Sequence, residues 1–140
     1  MGKLAAIIAT AAAVTTLTAI PASAEPVVLY QLAGSNRCLA DSGSDIVLRA
    51  CNEAVLDQNW IVPVTDADIP RNRATGKCLT ATGAGNVLAQ ACGTGSQRWR
   101  RTPLSDRSFQ FRNLGTDKCL TAQVTVATCA TTSAKWNRLR

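Results

Sequence analysis

Cysteine and tryptophan recur three times along this chain in the same order, and that recurrence limits the fold more than any other property of the sequence. Arg37-Cys38-Leu39-Ala40 is followed by Cys51 and then by Gln58-Asn59-Trp60. Lys77-Cys78-Leu79-Thr80 is followed by Cys92 and Gln97-Arg98-Trp99. Lys118-Cys119-Leu120-Thr121 is followed by Cys129 and Ala134-Lys135-Trp136. The leading cysteines lie 40 and 41 residues apart, and each has a cation before it and a leucine after it. The chain therefore reads as three copies of one unit, over residues 27–66, 67–106 and 107–140.

Six cysteines allow 15 pairings. Only one gives every repeat the same internal bond: Cys38–Cys51, Cys78–Cys92 and Cys119–Cys129. In the chain-entropy model each closure contributes about 3 kcal/mol. A metal site is the competing use of clustered cysteines. The chain has no histidine and no CxxC pair, so no metal or other cofactor is expected.

Disulfides require an oxidising compartment, and the N-terminus reads as an export signal. Lys3 precedes an uncharged run from Leu4 to Ile20, Pro21 interrupts it, and Ala22-Ser23-Ala24 is a small-residue cleavage site. Residues 1–24 are expected to be a signal peptide, leaving residues 25–140 as one secreted domain. No later stretch is long and apolar enough to span a bilayer.

Local patterning is that of β-structure. Phe109-Gln110-Phe111-Arg112 alternates, and Val27 to Leu32, Ile46 to Leu48 and Val87 to Ala91 are short apolar runs. Gly, Asn, Asp and Ser clusters separate them, as in Asp41 to Asp45 and Thr82 to Asn86. No segment after residue 24 sustains a helical period. The expectation is an all-β domain of about twelve short strands, four per repeat.

Three K/R-C-L … C … Q-x-W units resemble the ricin B-type lectin domain over essentially the whole of residues 25–140. The resemblance implies a β-trefoil with pseudo-threefold symmetry, in which Trp60, Trp99 and Trp136 belong to the shared core. It also implies a binding module that acts on carbohydrate without catalysis. In sugar-binding repeats of that family, Asp follows Cys-Leu and an aromatic lies two residues before the second Cys. An amide lies four residues before that Cys, and Asn precedes Q-x-W.

No repeat here carries the full set. The Asp position holds Ala40, Thr80 and Thr121, and the aromatic position holds Arg49, Gln90 and Ala127. The amide position holds Val47, Leu88 and Thr125, and the Asn position holds Asp57, Ser96 and Ser133. The third repeat departs further, with Ala134 in place of Gln. Sugar recognition needs hydrogen-bonding groups beside an apolar face. The best remaining cluster is in the first repeat: Asp41, Asp45, Arg49, Asp57 and Gln58, with the Arg49 guanidinium plane in place of an aromatic ring. The turn-forming pattern of Asp41-Ser42-Gly43-Ser44-Asp45 gives these acids an alternative, structural use.

Charge is divided unevenly. Residues 25–68 carry two arginines and seven acids, whereas residues 69–140 carry twelve Lys/Arg and two acids. Arg98, Arg100 and Arg101, in a cluster with Arg107 and Arg112 and with Arg138 and Arg140 at the terminus, form the second candidate site, since guanidinium groups chelate carboxylate, sulfate and phosphate. An anionic polysaccharide or an acidic protein surface suits them better than nucleic acid, because aromatics interleaved to stack bases are missing.

Catalysis has little to work with. Without histidine there is no Ser-His-Asp triad, and no P-loop, nucleophile elbow or dinucleotide fingerprint occurs. The expectation is a secreted, lectin-like binding protein with degenerate sugar sites. Two other roles fit the same frame: an interaction subunit of a secreted, toxin-like complex, and an inhibitor of a secreted enzyme.

Overall fold

The computed structural model describes residues 2, 7, 9–19 and 24–140. Lys3 and Pro21 to Ser23, on which the export reading partly rests, lie outside the described residues. Residues 9–19 are exposed and form no regular element, and no helix among the described residues is long and apolar enough to cross a membrane.

Twelve strands follow, as the repeat and turn pattern requires. The first repeat supplies β1 (Val27–Leu32), β2 (Arg37–Asp41), β3 (Ile46–Ala50) and β4 (Trp60–Ile61). The second supplies β5 (Arg71–Asn72), β6 (Cys78–Ala81), β7 (Val87–Gln90) and β8 (Trp99–Pro103). The third supplies β9 (Phe109–Asn113), β10 (Lys118–Leu120), β11 (Val126–Thr128) and β12 (Trp136–Leu139). A 3-10 turn, Leu56–Gln58, precedes β4.

Pairing closes a ring. β1 is hydrogen-bonded to β12 and β4, β4 to β5, β8 to β9, and β9 to β12. A two-residue bridge between Asp68 and Trp99 supplies the remaining contact. The other six strands form the antiparallel hairpins β2–β3, β6–β7 and β10–β11. A six-stranded barrel closed at one end by three hairpins is a β-trefoil.

The repeat motif is explained by one hydrogen bond made three times. Trp60, Trp99 and Trp136 are all fully buried, and a buried indole N–H needs an acceptor. Each finds it in the backbone carbonyl of the Cys-Leu leucine of its own repeat. Trp60 donates to Leu39 at 3.1 Å, Trp99 to Leu79 at 2.9 Å and Trp136 to Leu120 at 3.3 Å. The leucine side chains are themselves fully buried. Cysteine, leucine and tryptophan are thus one unit, and the disulfides Cys38–Cys51, Cys78–Cys92 and Cys119–Cys129 close each copy.

The Gln of Q-x-W has an equally local task. Gln58 accepts from the Asn52 N–H and donates to the Ala50 carbonyl, both at 2.9 Å. Gln97 accepts from Gly93 N–H at 2.8 Å and donates to Ala91 at 2.9 Å. Both side chains are buried and hold the loop around the second cysteine. In the third repeat, where Ala134 stands instead, Ser133 accepts from Ala130 N–H at 2.7 Å. Gln110 of β9 donates to the Ala130 carbonyl at 2.6 Å.

Aromatics fill the barrel asymmetrically. The Phe111 ring lies 4.9 Å from Tyr30 and 5.1 Å from Trp99, with Phe109 edge-on at 5.5 Å. Tyr30 donates its hydroxyl to Asp68 at 2.7 Å. That buried carboxylate also faces Arg101 at 3.3 Å and Arg138 at 3.7 Å. Side chains from all three repeats therefore meet at Asp68. Burial, followed by the negative charge of Asp68, pushes the Tyr30 hydroxyl well above the ordinary tyrosine range.

Candidate functional site

The first-repeat cluster is divided by the fold. Along β3 and the 3-10 turn, Arg49 and Asp57 come together, with Nη1 to Oδ2 at 2.7 Å and side chains 49 % and 18 % exposed. Asp57 is placed by its backbone, since the Asn72 amide donates to the Asp57 carbonyl at 2.7 Å. Its second carboxylate oxygen, Oδ1, is buried with no hydrogen-bond partner among the described residues. That oxygen is closed to solvent, so the accessible part of the pair is the half-exposed Arg49 guanidinium.

The other three members of the cluster are elsewhere or engaged. Asp41 is buried, accepting from the Gly43 N–H at 3.0 Å and from the Thr75 hydroxyl at 2.5 Å. It is the first residue of an Asx turn, which Gly43 completes at a φ of 95°. Asp45 is exposed at the hairpin tip, four positions from Arg49 and so roughly 13 Å away along an extended strand. Gln58 is consumed by the loop clamp described above. Of the five residues, the fold brings together Arg49 and Asp57 as a guanidinium–carboxylate pair.

The basic cluster is divided as well. Strand alternation places Arg100 outward, across from Arg112 of β9. Arg101 falls on the same side of β8 as Trp99, opposite Phe111. There its charge is met by Asp68, and its guanidinium carbon lies 5.9 Å from the Phe109 ring centre. Arg98 precedes the strand, exposed, and its carbonyl accepts from Leu114 N–H at 2.9 Å. Arg112 is paired with Asp117, and Lys135 with Asp106 at 3.3 Å. All three arginines are exposed, and Arg101 alone is also tied to the buried carboxylate of Asp68.

In the third repeat Thr121, Ala127 and Ser133 stand on the walls of a hollow of about 390 Å³. Its lining is alanine, serine, threonine and Gln123, with no aromatic or charged side chain. The Thr121 and Thr125 hydroxyls bond to each other at 2.7 Å. The sequence carried a sign of this difference: the third pair of cysteines is separated by 10 residues, against 13 and 14 in the others. No cluster of three or more potential metal ligands occurs among the described residues.

Solved structures share the fold at low sequence identity. The designed threefold-symmetric protein ThreeFoil matches with a TM-score of 0.70 and 17% identity, over 81% of this chain and 98% of that one. The Polyporus squamosus lectin, solved bound to a human-type influenza-binding epitope, gives 0.66 and 18%, over 84% of this chain. This chain spans half the length of that lectin, covering 50% of it. The cytolethal distending toxin of Haemophilus ducreyi gives 0.66 and 14%, over 80% of this chain and 82% of that one. No curated protein matches the chain. Among family models, the cytolethal distending toxin A/C domain matches residues 66–135. The ricin-type beta-trefoil lectin domain matches residues 27–99, just over half of the chain and the part that holds the first two C-L … Q-x-W units, and the protein belongs to that family.

Proposed function

We propose that this protein is an exported, non-catalytic carbohydrate-binding module whose principal site is the outer face of the first repeat. The observation that carries the reading is the Arg49–Asp57 pair. From the two positions where sugar-binding relatives place an aromatic and an Asn, a donor and an acceptor meet at 2.7 Å, with the Arg49 side chain half exposed. A guanidinium plane offers an apolar face to a sugar ring and N–H donors at its edge. A carboxylate accepts from adjacent hydroxyls.

A glycan array probed with the protein tests this. Binding to a restricted set of glycans, reduced by Arg49→Ala and by Asp57→Asn, is the expected result. A flat response across neutral and acidic glycans would overturn it. N-terminal sequencing of the exported protein should begin at Glu25.

The second reading, an interaction subunit of a secreted complex, is supported by the toxin A/C model over residues 66–135. Native mass spectrometry of the protein purified from its own culture medium separates the two. A stoichiometric protein partner would favour the subunit, and a lone monomer would count against it.

A further inference from the structure

The three capping hairpins are unequal, and their inequality opens a hollow that the repeat motif does not announce. In the second hairpin Leu79 faces Ala89, and the strands continue for two more pairs before the turn that Thr82 N–H closes on the Asn86 carbonyl. In the third, Leu120 faces Val126, and the same five-residue turn begins at once, with Thr121 N–H bonded to Thr125. The third hairpin stops short. Its tip bends against the second through an Asn86–Thr125 bridge and a bond from Val126 N–H to the Gly85 carbonyl at 2.9 Å. Between this fastened pair and the first hairpin tip lies a hollow of about 530 Å³, lined by all three repeats.

We propose that this hollow, near the pseudo-threefold axis, is a saccharide-binding site separate from Arg49 and Asp57, taking one neutral or amine-bearing sugar unit or disaccharide per molecule. The ligand class rests on the carbohydrate-binding reading above, whereas the place is argued from the hollow itself. The two kinds of group that sugar recognition needs, and that no single repeat retains, are assembled here from three. Val47, Leu88 and Val124, all half-buried, give an aliphatic surface for the C–H face of a ring. Asp45, Asn86 and Gln123 stand exposed on the rim. The Asn86 and Gln123 side-chain amides make no hydrogen bond to the described residues, so their donors and acceptors are free for hydroxyls. No cation lines the hollow, and Asp45 does, so anionic ligands are disfavoured. A volume of this size suits a small sugar.

Val124 strengthens the assignment. It has a φ of 59°, at the turn position that Gly85 fills in the second hairpin with a φ of 93°. A β-branched residue in the left-handed region is strained, and glycine would serve the turn without strain. What the valine adds is an isopropyl group, half-buried against the core at the wall of the hollow.

The test is methyl NMR of the exported domain titrated with lactose and N,N′-diacetylchitobiose as neutral probes and 3′-sialyllactose as an anionic one. The expected result is saturable movement of the Val47, Leu88 and Val124 methyl signals with a neutral probe. The surface changes Asp45→Asn and Asn86→Ala should weaken that binding about tenfold or more, about 1.4 kcal/mol, while Arg49→Ala leaves it unchanged. Movement confined to residues around Arg49 and Asp57, and removed by Arg49→Ala, would overturn the axial site and keep the first-repeat reading. Silence at both places would overturn both. Preference of the hollow for the sialylated probe would overturn the ligand class.

Discussion

The second and third repeats solve the same construction problem with different parts. Both tie an indole to the Cys-Leu carbonyl and both close a disulfide. The second then clamps its loop with Gln97 and turns its hairpin on Gly85. The third uses Ser133 and the distant Gln110 for the loop, and forces Val124 through the same turn. The shared parts are those that hold the barrel, and the parts that differ lie in the loops around the second cysteine and in the hairpin turns. Threefold symmetry is thus kept where packing requires it and abandoned where a surface can be specialised.

The comparison is broken most severely at the tryptophans. Trp99→Ala and Trp136→Ala should each cost about 3–5 kcal/mol, the usual loss for a large buried aromatic. Each also strands the carbonyl of its own leucine. Similar midpoint shifts in urea unfolding would show that the two repeats are energetically alike at the core, and a loss confined to one would show that they are not.

At the loop clamps the repeats should part company. Gln97→Ala leaves the Gly93 N–H and the Ala91 carbonyl without their buried partner and should cost about 2 kcal/mol. Ser133→Ala affects an exposed loop and should cost less than about 1 kcal/mol. Denaturant titration of both variants measures the difference. Equal costs would mean that the third loop depends on its serine as strongly as the second on its glutamine.

The turns provide a smaller and more specific contrast. Gly85→Ala should cost about 1 kcal/mol from the left-handed backbone alone, because the added Cβ would meet only the Val126 carbonyl at an ordinary 3.5 Å. A thermal shift of a few degrees reads it.

The least effect is a pH dependence in the turn that enters the third repeat. The Ser108 hydroxyl and N–H hold the Asp106 carboxyl below the usual carboxylate range. A folded value lower than the unfolded one adds stability that is complete above the unfolded value, about 4. It is lost as pH falls through the folded value. Melting between pH 6 and 2.5 should therefore fall slightly less steeply in Ser108→Ala than in the parent.

Much of the frame was legible in the sequence because it is built from local, repeated bonds. Each disulfide and each indole bond lies within its own repeat, so matching spacings were enough to pair Cys38 with Cys51 and to expect twelve strands. The meeting of Tyr30, Asp68, Arg101 and Arg138 was not legible. Its members come from all three repeats and have no common motif, and Asp68 sits in a stretch that reads as loop. Arg101 was grouped with Arg98 and Arg100, but it alone of the three reaches Asp68, while its side chain stays partly exposed. At the first-repeat site the sequence brought five residues into one cluster. The fold keeps Arg49 with Asp57, because backbone demands at a turn and a loop clamp claim Asp41 and Gln58. The short third hairpin was visible as a cysteine spacing of 10, yet the hollow it opens depends on how the three tips meet.

The indole–carbonyl bond has a consequence for how the chain reaches its fold. All-β domains commonly fold slowly because their pairings join residues far apart in sequence. Here the link from tryptophan to leucine spans 21, 20 and 16 residues, and a disulfide shortens most of that path once formed. Each repeat can therefore gather its own leucine and tryptophan early, with little loop entropy lost. The Tyr30–Asp68 bond, across 38 residues, must wait until the repeats dock. Substitutions at the three leucines should slow folding, whereas Tyr30→Phe should mainly hasten unfolding.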